Sequence, residues 1–186
     1  GIKPICGADI WLASDLDDGP LTRMTLLAMS AKGYRNLTEL VSRGWSDGQD
    51  NGLVIIQRDW VKEAAEDLIA LSGARDGEIG HALLGGEPAR AEALLAEWQA
   101  VFPERFYLEL HRCNRINDEE HVHAAVALAE RCGAALVATN DVRFLKQDDF
   151  EAHETRVCIG ESRTLDDPRR PRTYSDQQYL KTPEEM

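Results

Sequence analysis

Short apolar runs alternate with amphipathic, helix-forming segments along most of this 186-residue chain. A short apolar run fits a buried strand, whereas apolar residues three and four apart fit one face of a helix. The strand-like runs are residues 2–13, Thr22–Met29, Leu68–Leu71, Phe106–Leu110 and Ala135–Ala138. This alternation predicts an α/β fold with a parallel sheet covered by helices. Right-handed crossovers then allow a doubly wound sheet or part of a barrel.

Capping residues, prolines and glycines set the predicted bounds of the helices. A helix is predicted over Ser30–Ser42, and the glycines of residues 44–52 indicate a loop after it. Asp15–Pro20 is predicted to form a turn, and residues 160–181 an irregular connector. Further helices are predicted to begin at Asp59, at Asp76, at Pro88 and at Asn117 or Asp118, with Gly133 ending this last one, and another covers Asp149–Ile159.

The charge balance limits the partners that the chain can have. Asp and Glu number 33 against 21 Lys and Arg, which gives a formal net charge of −12. Because binding to phosphates depends on a basic face, this balance opposes non-specific binding to nucleic acid and to anionic membranes. No stretch approaches the ~20 apolar residues of a membrane span. The four cysteines lie far apart in the sequence, so they are expected to be reduced thiols in the cytoplasm.

Polar residues stand at the carboxyl ends of the predicted strands, where parallel α/β folds build their sites. Asp9 lies in the first strand, residues 109–113 end the fourth, and residues 140–143 follow the fifth. Asp141 alone could be a metal ligand, a general base, a helix cap or a structural acceptor for backbone amides. His111 and Cys113 lie on one side if their strand continues, which would suit Zn or Mn.

Two further polar groups have both a functional and a structural interpretation. The basic run Arg169–Arg172 could bind phosphate, but residues 166–167 are aspartates, so a local salt network is the alternative. His121 and His123 lie two residues apart, so they do not share a helix face. We expect them to be a solvated or partly buried pair. No HExxH, Walker, GxGxxG or GxSxG motif occurs in the sequence.

Four long stretches give the chain a family resemblance. They are GIKPICGADIWLA, LLAMSAKGYRNLTELVSRG, HAAVALAERCGAALVATNDVRFL and DDFEAHETRVCIGESRTLDDPRRPRTYSDQQYLKTPEEM. With them the chain resembles the N-terminal PHP (polymerase and histidinol phosphatase) domain of the bacterial replicative DNA polymerase III alpha subunit, in its proteobacterial form. The resemblance implies an α/β fold that is part of a distorted (βα)7 barrel. It also implies a partial PHP domain over residues 1–160, without its N-terminal strands, and a connector toward the polymerase domains over residues 161–186.

The resemblance also implies a site. Active PHP domains resemble trinuclear metal phosphoesterases, in which metal-bound water is the expected nucleophile. By this resemblance, Asp9 stands at the position of a metal-bridging Glu, Arg23 and Arg143 at positions of ligand His residues, Cys113 near another His position, and Asp141 at that of a ligand Asp. Because arginine is permanently charged and only donates hydrogen bonds, it cannot bind a cation. We therefore expect no metal here, and expect Arg23 and Arg143 to pair with Asp9 and Asp141.

For function, the resemblance implies a DNA-directed DNA polymerase as the parent protein, a nucleotidyltransferase whose Mg is bound by carboxylates of a later domain. This region is expected to be a catalytically inactive PHP domain that stabilises the polymerase and docks the proofreading exonuclease subunit. It would need no cofactor, and DNA would be bound through the parent enzyme. The alternative is an active Zn- or Mn-dependent phosphoesterase or proofreading domain, which Asp9, Glu109, His111, Cys113 and Asp141 keep open. A free-standing binding protein is disfavoured, since a start without Met is expected of a piece of a longer chain.

Overall fold

Strands and helices alternate along the chain in a computed structural model, which describes residues 1–14, 16 and 19–186. The strands are β1 (Gly7–Leu12), β2 (Thr22–Ala28), β3 (Gln49–Asp50), β4 (Leu53–Ile56), β5 (Leu68–Leu71), β6 (Phe106–His111) and β7 (Ala135–Thr139). The helices are α1 (Ala31–Asp47), α2 (Arg58–Ala64), α3 (Glu78–Leu84), α4 (Pro88–Val101), α5 (Asp118–Cys132) and α6 (Phe150–Gly160). The predicted α/β class is confirmed, although β3 and β4 are absent from the predicted strands.

The strands form one sheet in the order β3-β4-β1-β2-β5-β6-β7. Its β1–β4, β5–β6 and β6–β7 pairs are parallel, but β2 runs antiparallel to both β1 and β5. The prediction of a parallel sheet is therefore wrong at β2. The connection of residues 13–21 is shorter than a parallel crossover needs, so adjacent β1 and β2 have to be antiparallel. Within the predicted turn Asp15–Pro20, residues 15, 17 and 18 lie outside the described residues.

The sheet is open, with β3 at one edge and β7 at the other. No strand pairing joins these two edges in the part of the chain that the structure describes. The molecule is therefore a barrel-like seven-stranded fragment rather than a closed barrel, as the prediction of a partial barrel requires. The division of the chain at residue 160 stays a prediction.

The strands separate an apolar side of the sheet from a polar side. In β2, Met24 and Leu26 are buried in the core, while Arg23 and Thr25, which alternate with them, are half-buried on the opposite face. This period-two alternation is the reason why a strand that contributes to the core also presents polar groups to a site. Trp98 of α4 is fully buried and belongs to the same core.

Helix α1 begins where the sequence predicts and ends later. Ser30 caps it, since its side chain accepts hydrogen bonds from the amides of Lys32 and Gly33. The helix continues to Asp47, so the predicted loop from residue 44 is wrong. Gly44 lies inside the helix, where it packs against β4. A larger residue fits poorly there, because a Cβ would come within 2.4 Å of Ile56. This glycine therefore permits close packing of a helix on a strand and does not mark a loop.

Other helix bounds are close to those predicted. Helix α4 begins at Pro88, and α5 ends directly before Gly133, which has a left-handed φ of 64°. Asp59 and Asp76 do not cap their helices, because α2 begins one residue before Asp59 and Gly77 precedes α3. Asn117 directly precedes α5, so the predicted start of this helix is confirmed. Its side chain makes no capping hydrogen bond, so the predicted role of Asn117 as a cap is wrong.

The segment after α6 is irregular, as predicted, but it folds back over the ends of β6 and β7. We call residues 170–180 the strap. Its Tyr179 forms an isolated bridge with Phe144, and the amide of Leu180 donates to the carbonyl of Phe144 at 3.0 Å. Among the described residues, none of the helices is long and apolar enough to span a membrane.

Candidate functional site

Polar side chains from β1, β2, the β6–α5 loop and the residues after β7 converge on Asp141. The guanidinium of Arg143 lies 2.7 Å from Oδ1 of Asp141, and that of Arg115 lies 3.1 Å from Oδ2. Arg23 approaches Oδ1 at 3.7 Å. Burial alone would raise the pKa of Asp141, but the three guanidinium groups hold it below its ordinary value. We call Asp9, Arg23, Arg115, Asp141 and Arg143 the mouth cluster.

Arg23 connects the two carboxylates of the mouth cluster. It donates to Asp9 at 2.7 Å, and the hydroxyl of Thr25 donates to the same carboxylate at 2.6 Å. Burial would lower the pKa of Arg23, but Asp9 and Asp141 raise it, so the guanidinium is the stable form. The ion pairs predicted for Arg23 and Arg143 with Asp9 and Asp141 are present.

Glu109 and His111 lie beside the mouth cluster and are joined to it by Arg115. Nε2 of His111 lies 3.2 Å from Glu109, and Arg115 lies 3.3 Å from Nδ1 of the same ring. Glu109 also accepts from the hydroxyl of Thr139 at 2.5 Å and the amide of Gly73 at 3.2 Å. Burial would raise the pKa of Glu109, but its hydrogen bond with His111 and the others outweigh this and lower it. The buried carboxylate is thus satisfied by hydrogen bonds.

Cys113 does not join His111 as a pair of possible ligands. Strand β6 ends at His111, so the alternation that would place both on one side stops before Cys113. The buried thiol lies 3.1 Å from the side-chain oxygen of Asn140. Burial raises the pKa of Cys113 above its ordinary value, which keeps it protonated at neutral pH. A protonated thiol is a poor nucleophile and a poor metal ligand.

A cavity of about 770 Å³ opens beside the mouth cluster. Arg23, Arg115 and Arg143 line one part of it, and Thr173 and Tyr174 of the strap line another. A second cavity of about 390 Å³ is bordered by Glu109 and His111 together with Asp9 and Asp141. The candidate residues on strands β1, β2 and β6 and after β7 therefore surround one connected polar region.

A model of the PHP domain family matches residues 1–113. The chain belongs to the PHP domain family. Over all 186 residues it is 80% identical to DNA polymerase III subunit alpha of Pseudomonas aeruginosa, 50% identical to that of Escherichia coli K12 and 46% identical to that of Haemophilus influenzae. The chain spans 16% of the length of each of these relatives.

The residues of this PHP domain do not fit a metal site at Asp141. Both of its carboxylate oxygens already accept hydrogen bonds or ion pairs from permanently charged arginines. A cation bound there would lie beside guanidinium groups that repel it and cannot act as ligands. Within residues 1–14, 16 and 19–186, no group of three or more His, Cys, Asp or Glu side chains has the arrangement of a metal site.

Several residues of the site have no clear signal in the sequence. Arg115 lies in the loop between β6 and α5, and Gln178 lies in the strap, so neither follows a strand directly. Asp118 is fully buried and accepts from the amides of Cys113 and Arg115 at 3.0 and 3.1 Å, which holds that loop in place. The sequence offers only a general clue to Asp118, since Asp is frequent at helix starts.

The basic run Arg169–Arg172 and the two histidines of α5 are the remaining polar groups that the sequence singles out. Arg170 pairs with buried Glu154, and Arg169 pairs with Asp167 at 3.3 Å, so this basic run forms a local salt network. His121 is buried and His123 is exposed, which confirms that they do not share a helix face. Burial and nearby His111 lower the pKa of His121 to about 4.

Proposed function

We propose that this chain is part of the catalytic subunit of a replicative DNA polymerase, and that its PHP domain is a structural module without phosphoesterase activity. The identity of 80% across the whole chain to a protein named DNA polymerase III subunit alpha supports the first part. DNA synthesis, with Mg as its metal, would reside in other domains of that subunit, because the chain spans only 16% of such relatives.

The convergence of three arginines on Asp141 supports the second part. Each guanidinium carries a charge that no accessible pH removes, so it cannot exchange its proton for a metal. The carboxylates of Asp9 and Asp141 are neutralised by ion pairs with these arginines. These ion pairs also connect β1, β2 and the residues after β7, which would stabilise the polar end of the sheet. The mouth cluster thus does for the fold what bound metals would do in an active relative.

Metal uptake of the full-length subunit tests this proposal. The Arg23→His, Arg143→His double variant replaces two donors with potential ligands, whereas Arg112→His, Arg131→His makes the same change at exposed pairs. After exposure to Zn or Mn and removal of free metal, only the first variant should bind more metal than the wild-type subunit. Equal uptake by the two double variants would count against a silenced metal site. Several tightly bound metals per wild-type PHP domain would contradict it outright.

A metal-dependent phosphoesterase or proofreading activity is the second candidate. It is favoured by one observation, the presence of Glu109, His111 and two aspartates around a single cavity. Release of phosphate or nucleotide by the Zn- or Mn-loaded subunit, from simple phosphate esters or a mismatched primer end, would support this activity. That release would have to be abolished by Glu109→Gln and retained when the carboxylates of the polymerase domain are replaced.

Docking of the proofreading exonuclease subunit is a further part of the proposed role. The net charge of −12 makes a protein partner more compatible with this surface than DNA. The purified exonuclease subunit should therefore associate with the full-length polymerase subunit and lose that association when residues 1–160 are deleted. No detectable complex at micromolar concentration would eliminate the docking role, whatever the metal content is.

A further inference from the structure

Gln178 is fully buried although it lies in an irregular and mostly exposed segment. Its side-chain amide donates to Oδ2 of Asp141 at 2.9 Å and lies 3.2 Å from the carbonyl oxygen of the same residue. Its side-chain oxygen accepts from the amide of Ser175 at 3.0 Å. A buried amide side chain is stable only where both its donor and its acceptor groups find partners, so the position of Gln178 depends on Asp141.

The backbone of the strap is bound to the loop that carries Asp141. The amide of Arg143 donates to the carbonyl of Gln178 at 2.8 Å, and Asn140 donates from its side chain to the carbonyl of Tyr179 at 2.6 Å. The amide of Leu180 donates to Phe144. At this end, therefore, the strap and residues 140–144 share a continuous set of hydrogen bonds.

Asp141 is the point at which these bonds meet the mouth cluster. Its Oδ2 accepts from Gln178, Arg115 and Arg143, and the guanidinium of Arg143 lies 5.7 Å from the ring of Tyr174 in the strap. Arg143 also lies 2.7 Å from Oδ1, so the three donors are shared between the two oxygens of one carboxylate. The negative charge that holds the arginines together is also the acceptor that holds the strap.

We propose that Asp141 and Gln178 form a latch, which fixes the strap over the cavity of the mouth cluster and makes strap and cluster open together. The latch gives Asp141 a structural role in the proposed inactive site. It rests on the proposed function only because the test uses the full-length polymerase subunit. The far end of the strap is held independently, because its Arg170 forms a buried pair with Glu154 of α6. Release of the latch therefore exposes the part of the strap between Arg170 and Gln178.

The full-length subunit with Gln178→Glu tests the latch. The new side chain has the same size and keeps an acceptor for Ser175, but it presents a carboxylate to Asp141 in place of a donor. Gln177→Glu is the matched control, because that side chain contacts Asp176 and not Asp141. The readouts are hydrogen exchange of the amides of Arg143 and Leu180 and tryptic cleavage after Arg172, which lies within the strap.

We expect exchange of both amides and cleavage to be roughly tenfold faster in Gln178→Glu, since a buried hydrogen bond to a charged group is lost. The control should stay within about twofold of the wild-type rates. Protection at Arg170 should persist in both variants. Equal rates in Gln178→Glu and Gln177→Glu would overturn the latch and leave Gln178 as a residue that only fills space.

A second variant covers the case in which Gln178→Glu loses protection throughout the sheet. Gln178→Met keeps the volume and adds no charge, so it should still accelerate exchange at Arg143 and Leu180 about tenfold, and unchanged exchange would overturn the latch. The metal content of both Gln178 variants should equal that of the wild-type subunit. Failure of the latch therefore appears in exchange alone, whereas failure of the proposed function appears in metal content.

Discussion

Two arginine–carboxylate clusters lie on opposite sides of the sheet. They consist of the same kinds of side chain but differ in composition and in structural role. In the mouth cluster, three guanidinium groups surround one carboxylate, that of Asp141. In the other, which we call the helix-side cluster, one guanidinium serves two carboxylates. Arg58 pairs with buried Glu78 and lies 2.7 Å from Glu97, and it stacks over the ring of Trp98 at 4.9 Å.

The surroundings of the two clusters explain this difference. The helix-side cluster joins α2, α3 and α4, and Glu78 accepts from the indole of Trp98, so its polar groups are part of the core packing. The mouth cluster borders a cavity and holds the strap. A surplus of arginines around a single carboxylate is unnecessary for packing, whereas it is the arrangement that prevents a cation from binding. The mouth cluster therefore holds three arginines for two aspartates, whereas the helix-side cluster holds one arginine for two glutamates, and the proposed silencing rests on this difference.

The largest expected effect is on the helix-side cluster. Glu78→Ala leaves the indole of Trp98 without this acceptor and removes the buried partner of Arg58, which should cost about 3–5 kcal/mol. Hydrogen exchange of the α3 and α4 amides in the full-length subunit measures the loss of opening free energy. The control is Glu92→Ala, which removes an exposed pair with Arg131 and should cost below about 1 kcal/mol. Similar costs for the two variants would show that the helix-side cluster is not part of the core.

The second prediction separates the clusters by pH. The pKa of His121, which lies in α5 near His111, is about 4 in the folded chain and about 6.5 when unfolded. The unfolded state therefore binds the proton first, and stability falls as the pH drops from about 6.5 to about 4, by about 3 kcal/mol. Exchange of the α5 amides across this range measures the fall. The helix-side amides of α4 should show a smaller dependence.

His121→Gln should remove most of this pH dependence, because glutamine does not titrate. His123→Gln is the control, since His123 is exposed in the same helix and its loss should leave the dependence in place. A further decrease below about pH 4 is expected in all three proteins. It arises because the unfolded state then binds protons at Asp141 and Glu109, whose pKa values are lowered in the folded chain. A flat profile for the wild-type subunit down to about pH 4 would contradict the buried neutral state of His121.

The third prediction compares the two bridging arginines through one conservative change. Arg58→Lys keeps the charge but loses the two-pronged contact and the stacking on Trp98, so it should cost about 2 kcal/mol. Arg23→Lys loses only the contact that reaches both Asp9 and Asp141 and should cost about 1 kcal/mol. Exchange of the β2 and α4 amides measures the two costs. The reverse order would show that the mouth cluster contributes more to stability than the helix-side cluster.

Much of the mouth cluster could be predicted from the sequence, and the helix-side cluster could not. Asp9, Arg23 and Arg143 are recognisable because a family resemblance gives their positions a chemical meaning. Glu78 has no such signal, since an acidic residue at a helix start is normally a favourable partner for the helix dipole. Its burial depends on how α2, α4 and α3 pack, which a local pattern does not specify.

The fold shows the same division between local and long-range information. The strands β1, β2, β5, β6 and β7 follow from apolar runs, and the start of α1 follows from Ser30. The end of α1 does not, because Gly44 is required by the close approach of Ile56, a residue of another element. Gln178 is similar, since a glutamine among prolines and charges has no local reason to be buried. Its partner Asp141 is 37 residues away in the sequence.

The smallest expected effect is at an exposed ion pair, which sets the scale for the two clusters. Arg112 contacts Glu119 through two nitrogens at 2.7 and 3.1 Å, a geometry as good as any in the mouth cluster. Both side chains are more than half exposed, so water screens the attraction. Arg112→Ala should cost below about 1 kcal/mol, measured by exchange at the start of α5. A cost as large as that of Arg58→Lys would mean that geometry, and not burial, determines the strength of these pairs, and the contrast between the two clusters would lose its physical basis.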